Sequence, residues 1–179
     1  MLDIEKSGLL VVDVQGNLAR IVHESEAVIK NIGILIQGCQ ILQLPVILLE
    51  QNPLGLGQTV PEVRELLKDY TPLAKQTFNA CDTPAIEEVI TKSGVEQWIV
   101  CGIEAHVCLY QTSLGLLSKG YEVEIAADSI SSRSKTNIDI ALKKLQGGGA
   151  SLTSVEMCLL ELTKDARKEE FRQILALIK

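Results

Sequence analysis

Aromatic residues are scarce in this chain, and cationic residues are in the minority. Phe, Trp and Tyr make up 3% of the 179 residues, and 23 Asp and Glu outnumber 17 Lys and Arg, which gives a net charge of −6. Nucleic-acid binders need cationic side chains to displace counterions from phosphate, and single-strand binders also need aromatic stacking platforms. The composition therefore argues against a nucleic-acid partner, a base-stacking platform and an aromatic carbohydrate cleft.

Cysteine pairs, a histidine cluster and an apolar leader are also missing. The cysteine count is odd and no Cys-x-x-Cys pair occurs, which excludes a disulfide framework and a zinc knuckle. Two histidines cannot build a three-ligand zinc site without added carboxylates, so we expect no metal. The start carries two acids and lacks an apolar h-region, unlike a signal peptide. We therefore expect a cytoplasmic protein.

The uncharged run over residues 31–49 is too polar to be a membrane span. Gln37, Gln40 and Gln43 put an amide at every third position, and Pro45 interrupts the run. A bilayer interior offers no partners for those amides. The run is predicted to be a buried helix followed by a buried strand, and no membrane association is expected.

Short apolar runs alternate with segments of helical periodicity along the chain. Continuous apolar runs suit strands that are covered on both faces, and the alternation predicts a parallel sheet with helices on either side. The predicted fold is α/β, a three-layer α/β/α, Rossmann-like, doubly wound and mostly parallel six-stranded sheet in one domain, residues 1–179. The six strands are expected at residues 8–12, 45–49, 73–77, 97–102, 121–127 and 149–152.

Local signals place several helix starts. Ser25 is predicted to cap a helix that continues to about residue 36. Thr59 with Glu62, and Thr153 with Glu156, have the spacing of a capping box, in which each side chain satisfies a backbone N–H of the first turn. The last helix is expected over roughly residues 165–178.

Residues that follow the strands are the candidates for chemistry, because ligands bind beyond the carboxyl ends of strands in such sheets. Asp13 closes the first strand, where burial would raise its pKa unless a cation offsets that effect. Lys75 lies in the third strand, a position that usually marks a solvated edge. Cys108 follows the fourth strand in the first turn of a helix, where free N–H groups and the helix dipole favour a thiolate. The structural alternatives are a turn residue for Asp13 and an inert buried thiol for Cys108.

Three other motifs give no functional prediction, although a substrate contact of His106 stays open. His106 is two residues before Cys108, and residues at that spacing do not face each other on a helix. Gly55 and Gly57 supply only two glycines of a dinucleotide fingerprint and follow the second strand, and no Gly-Lys-Ser/Thr is present. The glycines at 147–149 are explained as a helix C-cap and tight turn. No cofactor is expected.

The ordered set of aspartate, lysine and cysteine resembles the isochorismatase-like cysteine hydrolases, the superfamily of nicotinamidase, N-carbamoylsarcosine amidase and isochorismatase. The resemblance covers nearly the whole chain and is anchored in residues 10–15 (LVVDVQ), 74–78 (AKQTF) and 102–108 (GIEAHVC). Residues 128–134 and 149–156 are similar to one branch, the isochorismatase domain-containing proteins, whose substrate is unsettled.

The resemblance implies a role for each strand-end residue. Cys108 would be the nucleophile, Asp13 would take its proton, and Lys75 would keep the aspartate charged and stabilise the thiolate. It also implies a cis peptide between Ile103 and Glu104, with the backbone N–H groups of Glu104 and Cys108 forming an oxyanion hole.

The substrate pocket is less well defined by the same resemblance. Gln15, Phe78 and Asn79 are candidate substrate-binding residues. Glu104 replaces the small residue of many relatives, and its side chain is expected to restrict the pocket or contact the substrate. Nicotinamidases carry Thr-Asp before the cysteine and a metal-binding Asp/His cluster after the second strand, whereas residues 50–53 (EQNP) contain no histidine. These departures weigh against a nicotinamidase and against a metal.

The sequence thus predicts an enzyme that hydrolyses a small amide or related carbonyl compound through a cysteine thioester. One alternative is an isochorismatase-type vinyl ether hydrolase, which would depend on Asp13 more than on Cys108. Another is a retired hydrolase that serves as an oligomeric scaffold, against which the presence of all three catalytic residue types argues. The expected partners are a small-molecule substrate and further copies of the chain in a homo-oligomer.

Overall fold

The computed structural model describes residues 1–179 and is organised around one sheet. The strands are β1 (Ser7–Val12), β2 (Val46–Gln51), β3 (Leu73–Lys75), β4 (Gln97–Gly102), β5 (Glu122–Ile130) and β6 (Ser151–Thr153). The α-helices are α1 (Leu18–Ile21), α2 (Ser25–Ile41), α3 (Pro53–Leu56), α4 (Pro61–Arg64), α5 (Pro84–Lys92), α6 (Tyr110–Ser118), α7 (Lys135–Gly147), α8 (Val155–Thr163) and α9 (Glu169–Ile178). A π-helical turn, Ala105–Leu109, precedes α6.

The six strands lie in the order β3-β2-β1-β4-β5-β6, and every neighbouring pair is parallel. The chain moves outward from β1 to β3, then returns to β4 on the other side of β1 and moves outward again. Ligands of open α/β sheets bind where the order reverses, beyond the carboxyl ends of the strands. The predicted doubly wound α/β fold is therefore confirmed, and β1 and β4 flank its switch point.

The central position of β1 in the sheet explains why its sequence is an unbroken apolar run. Successive strand side chains point to opposite faces of a sheet. Leu9 and Val11 belong to the core beneath α2, α8 and α9, whereas Leu10 and Val12 belong to the core beneath α5, α6 and α7. All four side chains are completely buried, because helices cover both faces of the sheet.

The uncharged run forms the end of α2 and most of β2, as predicted. The Gln37 and Gln40 amides donate to the Gly33 and Leu66 carbonyls, at 3.1 and 2.8 Å, so they have partners inside the protein. None of the helices combines the length and the apolar character that crossing a bilayer requires.

Three predicted strand ends were wrong, for reasons of pairing. β2 continues to Gln51 rather than ending at residue 49, because Glu50 and Gln51 pair with β3. β3 stops at Lys75 rather than at residue 77, because its only partner, β2, ends at Gln51 opposite Lys75. β5 continues to Ile130 rather than ending at residue 127, because a register shift lets Ile130 pair with Gly102.

Tertiary contacts also displaced the predicted helix caps. Ser25 is the first residue of α2, and its hydroxyl donates to the Ala19 carbonyl at 2.7 Å. Thr59 does not cap α4, because its N–H and its hydroxyl both donate to the buried Glu50 carboxylate at 2.7 Å. Ser154, one residue after the predicted cap of α8, accepts from the Met157 N–H at 3.3 Å.

Gly102 lets β1 and β4 approach closely at the switch point. Its φ is +120°, and a Cβ there would press on the Val12 carbonyl oxygen and lie 2.7 Å from the Val12 nitrogen. Any side chain would therefore force the two central strands apart beside Asp13.

We expect Gly102→Ala to lower the free energy of unfolding by roughly 3 kcal/mol or more, because backbone overlap adds to the unfavourable φ. Gly120→Ala is the matched control, since Gly120 also has positive φ (+89°) but no atom within 4 Å of the added Cβ. That variant should lose only about 1–2 kcal/mol. Urea unfolding measures both, and equal losses in the two variants would contradict the close-approach explanation.

Candidate active site

Four parallel strands bring the candidate residues to one edge of the sheet. Asp13 directly follows β1, Gln51 ends β2, Lys75 ends β3, and residues 103–108 follow β4. The structure therefore brings together Asp13, Lys75 and Cys108, which the sequence singled out, and adds Gln51 to them.

A buried ion pair joins Asp13 and Lys75. Lys75 Nζ lies 2.6 Å from Asp13 Oδ2, and the two side chains are 0% and 2% exposed. Lys75 also donates to Gln51 Oε1 at 2.7 Å. Asp13 has a left-handed φ of +52°, uncommon for a residue other than glycine and characteristic of functional sites. Its second oxygen, Oδ1, is buried and has no hydrogen-bond partner of ordinary geometry.

Cys108 lies in the π-helical turn beside this pair. The residue is 7% exposed, and its Sγ is 4.0 Å from Gln51 Oε1. Burial raises the pKa of the thiol to about 12, the Asp13 charge adds to the rise, and Lys75 opposes it. Burial and the neighbouring carboxylate therefore oppose the thiolate that the helix start was expected to favour.

The pKa of Asp13 is raised in turn. Burial is the main cause, and the Lys75 ammonium and hydrogen bonds from Lys75 and Cys108 partly offset it. The thiol and the carboxylate thus influence one another directly. The resting site consists of a neutral thiol next to an aspartate–lysine pair.

The amides of Gln15 and Gln51 fix the ends of β1 and β2. Gln15 is completely buried, its Oε1 accepts from the Gln51 N–H at 2.7 Å, and its Nε2 donates to the Gln51 and Gly57 carbonyls at 3.1 and 2.6 Å. Gln15 is therefore a structural bridge between backbones, which corrects its assignment as a pocket residue. Sequence reasoning missed Gln51, although its place at a strand end next to β1 is the signal that could have found it.

Phe78 and Asn79 lie in the loop after β3. The Phe78 side chain is half-exposed, whereas Asn79 accepts from the Cys81 N–H at 3.0 Å and donates to Asp82 at 2.9 Å. Thr112, one turn after Cys108, donates to the Phe78 carbonyl at 3.3 Å. The loop is thus tied to the nucleophile helix, and a substrate contact of these two residues stays a prediction.

The peptide between Ile103 and Glu104 is cis, at the position that the resemblance implied. The Glu104 N–H donates to no group of the chain. The Glu104 carbonyl accepts from the Val107 and Leu109 N–H groups, at 3.0 and 3.3 Å, and passes over that of Cys108. The two N–H groups that the resemblance assigned to an oxyanion hole therefore belong to the residue before this turn and to a residue within it.

The Glu104 side chain is buried and paired with Arg133. Arg133 Nε donates to Glu104 Oε1 at 2.7 Å and Nη2 donates to Oε2 at 3.2 Å. Burial opposes ionisation of Glu104, but the hydrogen bonds from Arg133 outweigh it and lower the pKa of the carboxyl group. Sequence reasoning assigned no role to Arg133, which lies 29 residues further along the chain.

The remaining potential ligands and nucleophiles are dispersed. No three or more His, Cys, Asp or Glu side chains gather in a group that could hold a metal ion. All five cysteines are free and buried, and burial raises the pKa of the four outside the site as well.

Comparison with known proteins identifies the family. The family model for the isochorismatase domain matches residues 7–157. Isochorismatase domain-containing protein 2 of Danio rerio is 38% identical over 178 residues, which cover 99% of this chain and 89% of that protein. The chain therefore belongs to the isochorismatase family of hydrolases.

Solved structures share the fold over nearly their whole length. The MAR1 ribonuclease of Caenorhabditis elegans has a TM-score of 0.91 and 36% identity, with 99% of this chain and 91% of that chain covered. YcaC from Pseudomonas aeruginosa, with hexane-2,5-diol and covalent acrylamide, has a TM-score of 0.92 and 26% identity, with 98% and 90% covered. The architecture of this chain is that of the family throughout.

We expect Asp13 and Lys75 to move the pKa of Cys108 in opposite directions. Asp13→Asn removes the negative charge that raises the pKa, so the thiol should titrate below about 12, whereas Lys75→Met should raise its pKa further. The pH dependence of iodoacetamide alkylation, measured at each cysteine by mass spectrometry, tests this, with buried Cys101 as the internal control. A higher or unchanged Cys108 pKa in Asp13→Asn would contradict the charge arrangement.

Proposed function

We propose that this member of the isochorismatase family hydrolyses a small amide or related carbonyl compound through a thioester on Cys108. The observation that carries the proposal is the burial of a thiol, a carboxylate and an ammonium group together beside the unpartnered Glu104 N–H. Acyl transfer needs a nucleophile, a proton acceptor and an oxyanion donor, and these groups supply all three.

In the first step, Cys108 Sγ forms a bond to the carbonyl carbon while its proton passes to Asp13. Oδ1 is suited to receive it, because Lys75 occupies Oδ2 and Oδ1 has no other partner. The π electrons of the carbonyl move to its oxygen, which accepts hydrogen bonds from the Glu104 and Cys108 N–H groups. Because the thiol is neutral at rest, we place proton transfer together with attack and not before it.

The tetrahedral intermediate then collapses. The carbon–nitrogen bond breaks, the leaving amine takes the proton from Asp13, and a thioester remains on Cys108. Water attacks the thioester and gives a proton to Asp13. When the carbon–sulfur bond breaks, that proton returns to the sulfur and the carboxylic acid leaves.

The buried charges favour a substrate that is neutral at its reacting end. The buried charged side chains are Asp13, Glu50, Lys75 and Glu104, so Lys75 is the one buried cation, and it is committed to Asp13. A dicarboxylate such as isochorismate would find no free buried cation, which disfavours the vinyl ether alternative.

We also propose that the protein forms a homo-oligomer, and we retain a cytoplasmic location as a prediction. Leu54 is fully exposed after β2, and Phe78 is 52% exposed after the neighbouring β3. Large apolar side chains that lie exposed after two neighbouring strands are candidates for an interaction surface. Light scattering of the purified chain measures the stoichiometry.

We expect Cys108→Ala to abolish turnover on small neutral amides, by roughly 10³-fold or more, because no thioester can form. Ammonia release from an amide panel measures turnover, and intact mass spectrometry of the quenched wild-type enzyme should detect the acyl adduct. Cys81→Ala, which removes a buried thiol outside the site, is the matched control and should keep its activity.

Three results would contradict this prediction in different ways. Full turnover in Cys108→Ala with loss in Asp13→Asn would favour the vinyl ether chemistry. Wild-type inactivity on all amides, with an unreactive Cys108, would favour the scaffold hypothesis. Cleavage of RNA in place of amides would align the chain with its ribonuclease-named relative, against its net charge of −6.

We expect kcat/KM to fall as the pH drops through the pKa of Asp13, because the base must be charged to accept the thiol proton. Burial raises that pKa, so the acid limb of the kcat/KM pH profile should lie at a higher pH than the ordinary pKa range of aspartate. Lys75 lowers the pKa, so Lys75→Met should move the limb to higher pH. Lys119→Met, at a surface pair with Glu87, is the control. A limb that stays in place or moves down in Lys75→Met would overturn the assignment of Asp13 as the base.

A further inference from the structure

Arg133 holds the Glu104 carboxylate at three points. Besides the contacts from Nε at 2.7 Å and Nη2 at 3.2 Å, its own backbone N–H donates to Glu104 Oε1 at 3.2 Å. The Glu104 side chain is 7% exposed, whereas that of Arg133 is 59% exposed. The pair therefore joins a buried carboxylate next to the nucleophile turn to a guanidinium at the surface.

The segment that carries Arg133 also binds the backbone on both sides of Glu104. The Ser131 carbonyl accepts from the Ala105 N–H at 2.8 Å, and the Ser131 N–H donates to the Gly102 carbonyl at 3.3 Å. Residues 131–133 thus lie alongside residues 102–105 and are hydrogen-bonded to them. Arg133 is the residue of this segment whose side chain reaches Glu104.

His106 adds a second tie to the same segment. His106 Nε2 is hydrogen-bonded to Asn137 Nδ2 at 3.2 Å. His106 Nδ1 is hydrogen-bonded to Ser132 Oγ at 3.0 Å. The residues that flank and follow Glu104 are therefore fixed to residues 131–137, independently of Arg133.

The Glu104 N–H itself has no acceptor, so other atoms of the residue must hold its direction. Its carbonyl is held by the Val107 and Leu109 N–H groups, and its side chain is held by Arg133. Without the guanidinium, the buried carboxylate would turn toward solvent or toward the backbone N–H groups of the turn. Either movement would reorient or occupy the oxyanion donors.

We propose that Arg133 is a positioning residue for the oxyanion hole, acting through the Glu104 carboxylate to aim the Glu104 N–H. The inference rests on the proposed function and goes beyond it, because Arg133 touches neither the thiol nor the reacting carbonyl. Loss of one oxyanion donor typically costs about 10²–10³ in rate. A donor that is misaimed but present should cost roughly 10- to 100-fold, in kcat and not in KM.

Two reagents for Cys108 separate this role from a general loss of structure. Propionaldehyde adds reversibly to Cys108. The sulfur–carbon bond forms while the carbonyl electron pair moves to the oxygen, which takes up the thiol proton or remains charged in the oxyanion hole. Iodoacetamide reacts by displacement at a saturated carbon, with iodide leaving and the thiol proton passing to Asp13, so no oxyanion develops. The degree to which propionaldehyde protects Cys108 from alkylation gives the aldehyde affinity. Mass spectrometry of the alkylated protein measures both this protection and the alkylation rate without aldehyde.

We expect Arg133→Met to weaken aldehyde binding by roughly 10- to 100-fold while the alkylation rate without aldehyde stays within about twofold. Arg133→Lys keeps the positive charge but not the two-point contact with the carboxylate, so it should show a smaller loss of aldehyde affinity than Arg133→Met. Glu104→Gln with Arg133→Met removes the unpaired buried charge and should fold, yet should retain the aldehyde defect. Arg172→Met, on the exposed face of α9, is the control.

The outcomes distinguish this inference from the proposed function. Unchanged aldehyde affinity in Arg133→Met, with normal binding by the wild type, would overturn the positioning role alone. Equal losses in aldehyde binding and alkylation would also overturn it, because the defect would then be structural. A wild-type protein whose Cys108 takes up no aldehyde would overturn both the proposed function and the inference.

Discussion

The buried pair of Asp13 and Lys75 is the interaction on which the rest of the site depends. The two residues are 62 positions apart and end strands that are not neighbours, since β2 lies between them. Gln51, at the end of β2, binds the same ammonium. Removing one partner of a buried pair typically costs about 3–5 kcal/mol, because an uncompensated charge is left behind. The pair therefore also fixes the three-residue edge strand β3 against the sheet.

One ammonium group between two potential anions explains why the thiol is neutral at rest. A charged Asp13 and a charged Cys108 would share the single buried cation, Lys75, in surroundings that exclude water. In the proposed mechanism, holding the proton on sulfur until attack keeps the total charge of the site constant, because the carboxylate loses its charge as the carbonyl oxygen gains one. The proposed oxyanion hole would then stabilise that charge at its new position.

The sequence was sufficient to predict the sheet and three of the site residues. Runs such as residues 8–12 required cover on both faces, and the strand-end rule with the family resemblance selected Asp13, Lys75 and Cys108. Local reasoning failed where distant partners decide. Thr59 has a cap spacing but binds Glu50, and burial and Asp13 oppose the thiolate that the helix start at Cys108 was expected to favour. Gln51 could have been found only from its place at the end of a strand, because its partner Lys75 comes from another strand. Arg133 has no local signature, because its partner Glu104 lies in another loop.

In both ion pairs beside Cys108 a cation neutralises a buried carboxylate, but the exposure of the cation differs. Asp13 is neutralised from within by a buried lysine, and Glu104 is neutralised from the surface by a half-exposed arginine. Neither pair leaves a buried cation free to bind a substrate anion. Under the proposed function, the site therefore stabilises charge that develops on a carbonyl oxygen during the reaction and offers no buried cation to charge that a ligand carries at the outset. A neutral amide, whose negative charge exists only during the reaction, is the proposed substrate class that such a site would distinguish best.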